Sequence, residues 1–255
     1  MIARIYLDEA NGCASYLIGD EIECKAAIVD PLDALGSLFY AEKAAALGME
    51  IAWILETHIH ADHRSCGRDL AALTGATVGI SAQAPVRYPV HTLHEGEQIK
   101  LGSVLIDVLE TPGHTPESLS FLVTDFRRSA QPLLLFSGDA LFSGDVGRPD
   151  LVGGVENEEA AAKAAQVLFH TLQEKILPLP DELLVLPAHY GGSACGGLFM
   201  SGVPFTTLGY EKKSNTALQS KEEQSFVAHV LSLLKPPPRE AVTNRAENLG
   251  TAIEA

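Results

Sequence analysis

Residues 56–67, ETHIHADHRSCG, set three histidines and an aspartate within the six positions 58–63. Imidazoles and a carboxylate packed that tightly need a shared partner, and the partner such donors take is a metal ion. The run before them, MEIAWILETH (49–58), is apolar and reads as a buried strand. The cluster therefore sits where a strand ends. Three further predicted strands end at residues that bind metals, His114, Asp139 and His189. A fold for this chain has to bring those strand ends together.

The rest of the chain supplies the frame. Short β-like runs cover 2–6, 15–18 and 26–30 and end at Gly-Asp or Asp-Pro punctuation. An amphipathic helix is predicted over 33–48, closed by Gly48, and Asp62 is placed at the start of a second one ending at Gly75. Strands follow around 77–80, 98–108, 119–124 and 131–140, then a long helix over 156–177 and a final strand over 182–192. The polar stretch 191–224 is expected to wrap the surface before a helix near 222–234. Strands flanked by helices in two similar halves imply a sheet sandwich covered by helices on both outer faces. We expect residues 1–235 to form the catalytic domain. Residues 236–255, entered through three prolines, read as a stiff spacer and a loosely packed tail.

Composition excludes some partners. The 255 residues carry a formal net charge of −15, with 33 acidic against 18 basic side chains. Nucleic acid and anionic membranes reward clustered Lys and Arg, so neither is expected. A small anionic substrate stays compatible, because one local arginine overrides a global field. The four cysteines form no CxxC pair or dense framework, which fits a reducing cytoplasm. The N-terminus has no basic-then-apolar signal, and no apolar run approaches a membrane span.

Any one strand-end histidine has a plain structural explanation. Seven donors over four strand ends, His58, His60, Asp62, His63, His114, Asp139 and His189, point to metal. His58 and His60, one residue apart, can aim both rings to the same side of an extended backbone. Asp62 and His63 approach from the next helix start, and Gly and Pro in TPGHTP hold His114 in a tight loop. His91, His94, His170 and His229 lack this context.

These residues resemble the metallo-β-lactamase superfamily. HIHADH at 58–63 matches its H-x-H-x-D-H signature, and its later histidine, aspartate and histidine fall at 114, 139 and 189. The resemblance spans residue 1 to about 235 and implies an αββα sandwich of two mixed β-sheets flanked by helices. Two branches imply different metals. In hydrolases of the glyoxalase II type, two Zn(2+) would be held, one by His58, His60 and His114 and one by Asp62, His63 and His189, with Asp139 bridging. In persulfide dioxygenases, one Fe(2+) per chain would be held by His58, His114 and Asp139, with the remaining four as supporting groups.

Ala61, VGRPDL (146–151), PAHYGGSACGG (187–197) and TTLGYEKKSNTAL (206–218) are similar to the dioxygenases, particularly the rhodanese-associated branch. The roughly 60 residues after His189 are too few and too loop-rich for the thiol-binding helical domain of glyoxalase II. The reading this resemblance implies is oxidation of glutathione persulfide, or a similar small persulfide, by O2. A rhodanese-type sulfurtransferase partner and a homo-oligomer are compatible with it. The alternatives are a two-metal thioester hydrolase and an inactive metal-binding scaffold for a sulfurtransferase. Arg148 is expected to clamp a substrate carboxylate, with Asp150 steadying its loop. Pro149 departs from the threonine common in the family. Tyr190 is expected to reach bound substrate, and Cys195 to line the substrate channel or carry persulfide.

Overall fold

Alternation along the strands decides the layers. In the computed structural model, which describes residues 1–151, 157–234 and 236–251, one sheet runs in chain order. It is built from β1 (Ile2–Asp8), β2 (Cys13–Asp20), β3 (Lys25–Val29), β4 (Glu50–Leu55), β5 (Thr77–Ser81) and β6 (His91–Leu93). The second sheet contains β7 (Gln98–Leu101), β8 (Val104–Glu110), β9 (Leu119–Asp125), β10 (Leu134–Gly138), β11 (Leu184–Pro187) and β12 (Thr206–Thr207). Both are mixed: β3 to β6 pair in parallel, as do β10 and β11, and the remaining neighbours are antiparallel.

Ala14, Tyr16 and Ile18 of β2 point between the sheets, against Ile106 and Val108 of β8 and Phe136 of β10. Leu17 faces the other way, into a layer with Tyr40 of α1 (Ser37–Ala46) and Leu70 of α2 (Gly67–Thr74). In the second sheet, Leu135 and Val185 turn outward onto α3 (Glu158–Thr171) and α5 (Glu223–Ser232). The period of two thus divides one strand's apolar residues between two cores. The result is the expected αββα sandwich. Phe136 is buried between the sheets, and its truncation to alanine is expected to cost about 3–5 kcal/mol. No described helix is long and apolar enough to cross a membrane.

Several boundaries differ from the sequence reading. The predicted strand over 98–108 is a hairpin, broken where Gly102 takes a positive φ of 60° between β7 and β8. Asp62 does not open a helix. α2 begins at Gly67, because residues 61–66 are held by contacts to other parts of the chain. The 191–224 stretch is exposed over much of its length, as expected, but it is not all loop. It contains β12, α4 (Leu208–Ser214) and a short 3₁₀ turn (Ala217–Gln219), and it buries Glu211 and Asn215. These two bind the loop after Asp139, through Gly144 N to Glu211 and Asn215 Nδ2 to the Asp145 carbonyl. The expected loose tail holds a helix, α6 (Ala241–Asn248), docked beside the histidine cluster. The expected helix start at Glu156 and the last four residues of the tail lie outside the described residues.

Candidate metal centre

Strand direction explains why the donors meet. β8 and β10 both run antiparallel to β9, and β11 is parallel to β10, so all three end at one edge of their sheet. His114, Asp139 and His189 follow those ends, and His58 follows β4 in the facing sheet. β2 starts at this edge, and its first residue, Cys13, bridges to His189. Gly138 makes the turn into Asp139 at φ 51°, where a β-carbon would stand 2.8 Å from Thr57.

The structure brings six of the seven predicted donors together in two groups. His58, His114 and Asp139 offer ligand atoms within 4.8 Å of one another, and so do Asp62, His63 and His189, joined by Cys13. His60 lies between them, its ring centroid 4.1 Å from that of His58 and 4.2 Å from that of His63.

Hydrogen bonds fix the ring tautomers. The His114 Nδ1–H donates to the Arg148 carbonyl at 2.7 Å, which leaves Nε2 as an acceptor 3.3 Å from Asp139 Oδ2. Thr57 Oγ1 donates to Asp30 and accepts from His58 Nδ1 at 3.0 Å, again freeing Nε2. His60 Nε2 donates to Asp30 at 3.1 Å, so its Nδ1 is free. Asp30 reaches these partners from the end of β3 with φ 49°, a left-handed backbone that few non-glycine residues adopt. His58 Nε2, His60 Nδ1, His63 Nε2 and Asp139 Oδ2 are buried and have no hydrogen-bond partner among the described residues. Unpaired buried acceptors are costly, and a metal ion satisfies them together. The residues present fit a metal.

Charge separates the two groups. Burial, together with the neighbouring imidazoles, holds His58 well below the ordinary histidine range, and burial also lowers His60 and His114. These rings are neutral, the form that ligates. Burial opposes charge on His189 as well, but Asp139 at 2.7 Å and Asp62 at 2.8 Å outweigh it and hold the ring well above that range. For His63, burial is likewise outweighed by Asp62, raising it to about 10. Asp62 has both oxygens engaged, Oδ1 by His63 and Oδ2 by His189 and the Cys13 thiol at 3.4 Å. Asp139 keeps Oδ2 free of hydrogen bonds. Next to His60, burial and Asp30 raise Glu56 to about 8.

Arg148 is buried, and its Nε and Nη2 form paired 2.7 Å bonds with Asp150, while Nη1 donates to the Ala194 carbonyl. A guanidinium so engaged anchors the loop that orients His114. Cys195 is buried within 4.8 Å of Asp139 and His189, and burial with Asp62 pushes its thiol well up. It is a thiol against the metal donors, not an exposed thiolate carrier. The Tyr190 hydroxyl is buried with no hydrogen-bond partner among the described residues. A cleft of about 340 Å³ opens beside His114, lined by Pro112, Pro116, Pro149, Ala160 and Val167, with no cation in its described lining.

Sequence reasoning missed Cys13, Asp30 and Thr57. Only Asp30 carried a signal, an acid at the end of a predicted strand.

A sequence profile described as the metallo-beta-lactamase superfamily matches residues 9–189. Over 231 residues the chain is 30% identical to the mitochondrial persulfide dioxygenase ETHE1 of Mus musculus, covering 89% of this chain and 81% of that one. It is 28% identical over 229 residues to the hydroxyacylglutathione hydrolase GloC of Haemophilus influenzae, covering 80% and 92%. Among solved structures, a metallo-beta-lactamase from Staphylococcus aureus subsp. aureus COL superposes with a TM-score of 0.87 at 34% identity, over 100% of this chain and 74% of that one. ETHE1 from Myxococcus xanthus gives 0.83 at 28% identity, over 99% and 100%.

Proposed function

The chain belongs to the metallo-beta-lactamase superfamily, and on that premise we propose that it is a persulfide dioxygenase using one Fe(2+) held by His58, His114 and Asp139. The observation that carries the reading is the contrast between the two carboxylates. Asp139 presents a free oxygen to two neutral imidazoles, whereas both oxygens of Asp62 are engaged. A metal held by two histidines and one carboxylate would keep positions for substrate sulfur and O2. The likeness to persulfide dioxygenases in sequence and in fold supports the same reading.

Bound at this triad, the ion would supply the redox capacity and open positions that oxidation of a persulfide by O2 requires. The net reaction takes a persulfide, O2 and water to sulfite, the free thiol and two protons. The protein's own groups orient the parts. Arg148 presents its carbonyl to His114, Thr57 and Asp30 fix His58, and His189 holds Asp139 Oδ1 so that Oδ2 faces inward. The cleft beside His114 takes the apolar body of the thiol, and the unpartnered Tyr190 hydroxyl donates to the substrate. Glutathione persulfide, supplied by a rhodanese-type sulfurtransferase, is the substrate we would assay first. The described cysteines are all free thiols, which suits a reducing compartment such as the cytoplasm.

The unpartnered Nε2 of His63, beside Asp62 and His189, favours a second reading, a two-metal thioester hydrolase. Parallel assays of protein purified without oxygen separate the two. Oxygen uptake dependent on glutathione persulfide, with sulfite as product, is expected. Hydrolysis of S-lactoylglutathione without oxygen uptake would sink the proposal.

A further inference from the structure

The loop that carries His58, His60, Asp62 and His63 lies outside every strand and helix. Its carbonyls at Ile59, His60, Ala61 and His63 accept no backbone N–H among the described residues. Buried carbonyls need donors from somewhere. All four find them on one short helix more than 180 residues away. Arg245 Nη1 donates to Ile59 O at 3.0 Å, and Asn244 Nδ2 to Ala61 O at 3.1 Å. Asn248 Nδ2 donates to both His60 O and His63 O at 2.9 Å, while its Oδ1 accepts the Ser65 N–H at 2.9 Å. Arg245 Nη2 also reaches Glu117, three residues beyond His114, at 3.2 Å. One side chain therefore ties the loop of His58 to the loop of His114.

We propose that α6 is a clasp on the metal centre, and that Arg245 and Asn248 are positioning residues that set how tightly the centre holds its metal. Neither side chain contacts the donors' ring or carboxylate atoms. They act on the peptide units between the donors, fixing the directions in which His58, His60 and His63 leave the backbone. A donor set held in advance loses little freedom when metal binds, and outer partners of this kind are worth about 10–100-fold in metal affinity. The inference is independent of which metal serves the reaction and of whether the reaction is oxidation.

Cobalt(II) binding to metal-free protein, read by visible absorption against a competing chelator, tests it. In the double variant Arg245→Ala/Asn248→Ala, affinity is expected to fall by about 10–100-fold and the absorption bands to change shape. Thermal unfolding of the metal-free double variant should shift down yet remain a single cooperative transition, so that the cobalt comparison is made on folded protein. Glu247→Gln, on the same helix, removes only an exposed side-chain pairing with Arg64 and should leave cobalt affinity unchanged. Native affinity and spectrum in the double variant would overturn the proposal. So would an equal loss in Glu247→Gln, which would make the effect one of helix stability alone. If the double variant does not fold, Arg245→Gln carries the test. It should weaken cobalt binding by a smaller factor, and unchanged affinity would again overturn the clasp.

Discussion

The two donor groups at the centre spend their atoms differently. Around His58, His114 and Asp139, every outward ring nitrogen meets an acceptor of the protein, and the inward atoms are left unpaired and uncharged on the rings. Around Asp62, the inward space is already occupied by charge. His189 lies between two carboxylates, His63 is raised to about 10, and the Cys13 thiol closes on the same aspartate. On the proposed one-iron reading, the first group is prepared for a cation, while in the second the histidines pair with Asp62. Seven donors of the right types in one cavity do not by themselves set the metal count.

The largest effect expected from this contrast is at Asp139. Asp139→Ala removes the free oxygen of the first group, and we expect oxygen uptake to fall to background. Metal affinity should drop by more than the roughly 100-fold that an outer partner is worth, measured by metal analysis after dialysis. Asp62→Ala should be milder, at most a loss of about tenfold to a hundredfold in affinity, with one metal still retained per chain. Equal damage from the two variants would break the comparison.

The stability of the metal-free protein against pH sharpens it further. His58, His60 and His114 are lowered by burial, so the unfolded chain binds more protons there. Their contribution is full above about 6.5, the ordinary histidine value, and is lost as pH falls below it. His63 is raised, so its contribution is full below about 6.5 and is lost as pH rises through about 10. Glu56, raised to about 8, acts in the same direction. Urea unfolding across this range should show two limbs. His114→Gln should flatten the acid limb and His63→Gln the alkaline one. A single limb, or the reverse assignment, would contradict the charge states derived for the two groups.

The smallest effect expected is at Cys13. Its thiol makes only long contacts, to Asp62 at 3.4 Å, the Asn11 carbonyl at 3.7 Å and His63 Nδ1 at 3.8 Å, so Cys13→Ala should cost no more than about 1.5 kcal/mol in the same measurement and leave metal content unchanged.

The donors themselves were legible because each ends a strand whose apolar run is visible, and so was the sandwich those strands build. What supports them was not. Asp150 was readable as the residue that steadies the Arg148 loop, but not that both are buried and joined by paired 2.7 Å bonds. α6 read as tail because AVTNRAEN has no apolar stripe. It docks through asparagine and arginine donors onto carbonyls, an interaction with no hydrophobic period to detect. Cys13 was invisible for a topological reason. It lies 45 residues before the motif and arrives only because β2 runs antiparallel to β3, so that its start lies at the edge where the donors gather.

The most direct test of the central claim is a titration of metal-free protein with iron(II) under nitrogen, each sample then assayed for oxygen uptake with glutathione persulfide. Activity that rises linearly and breaks at one iron per chain is the result predicted here. Activity that climbs until two metals are bound, or a doubly loaded protein that hydrolyses thioester and consumes no oxygen, would contradict it.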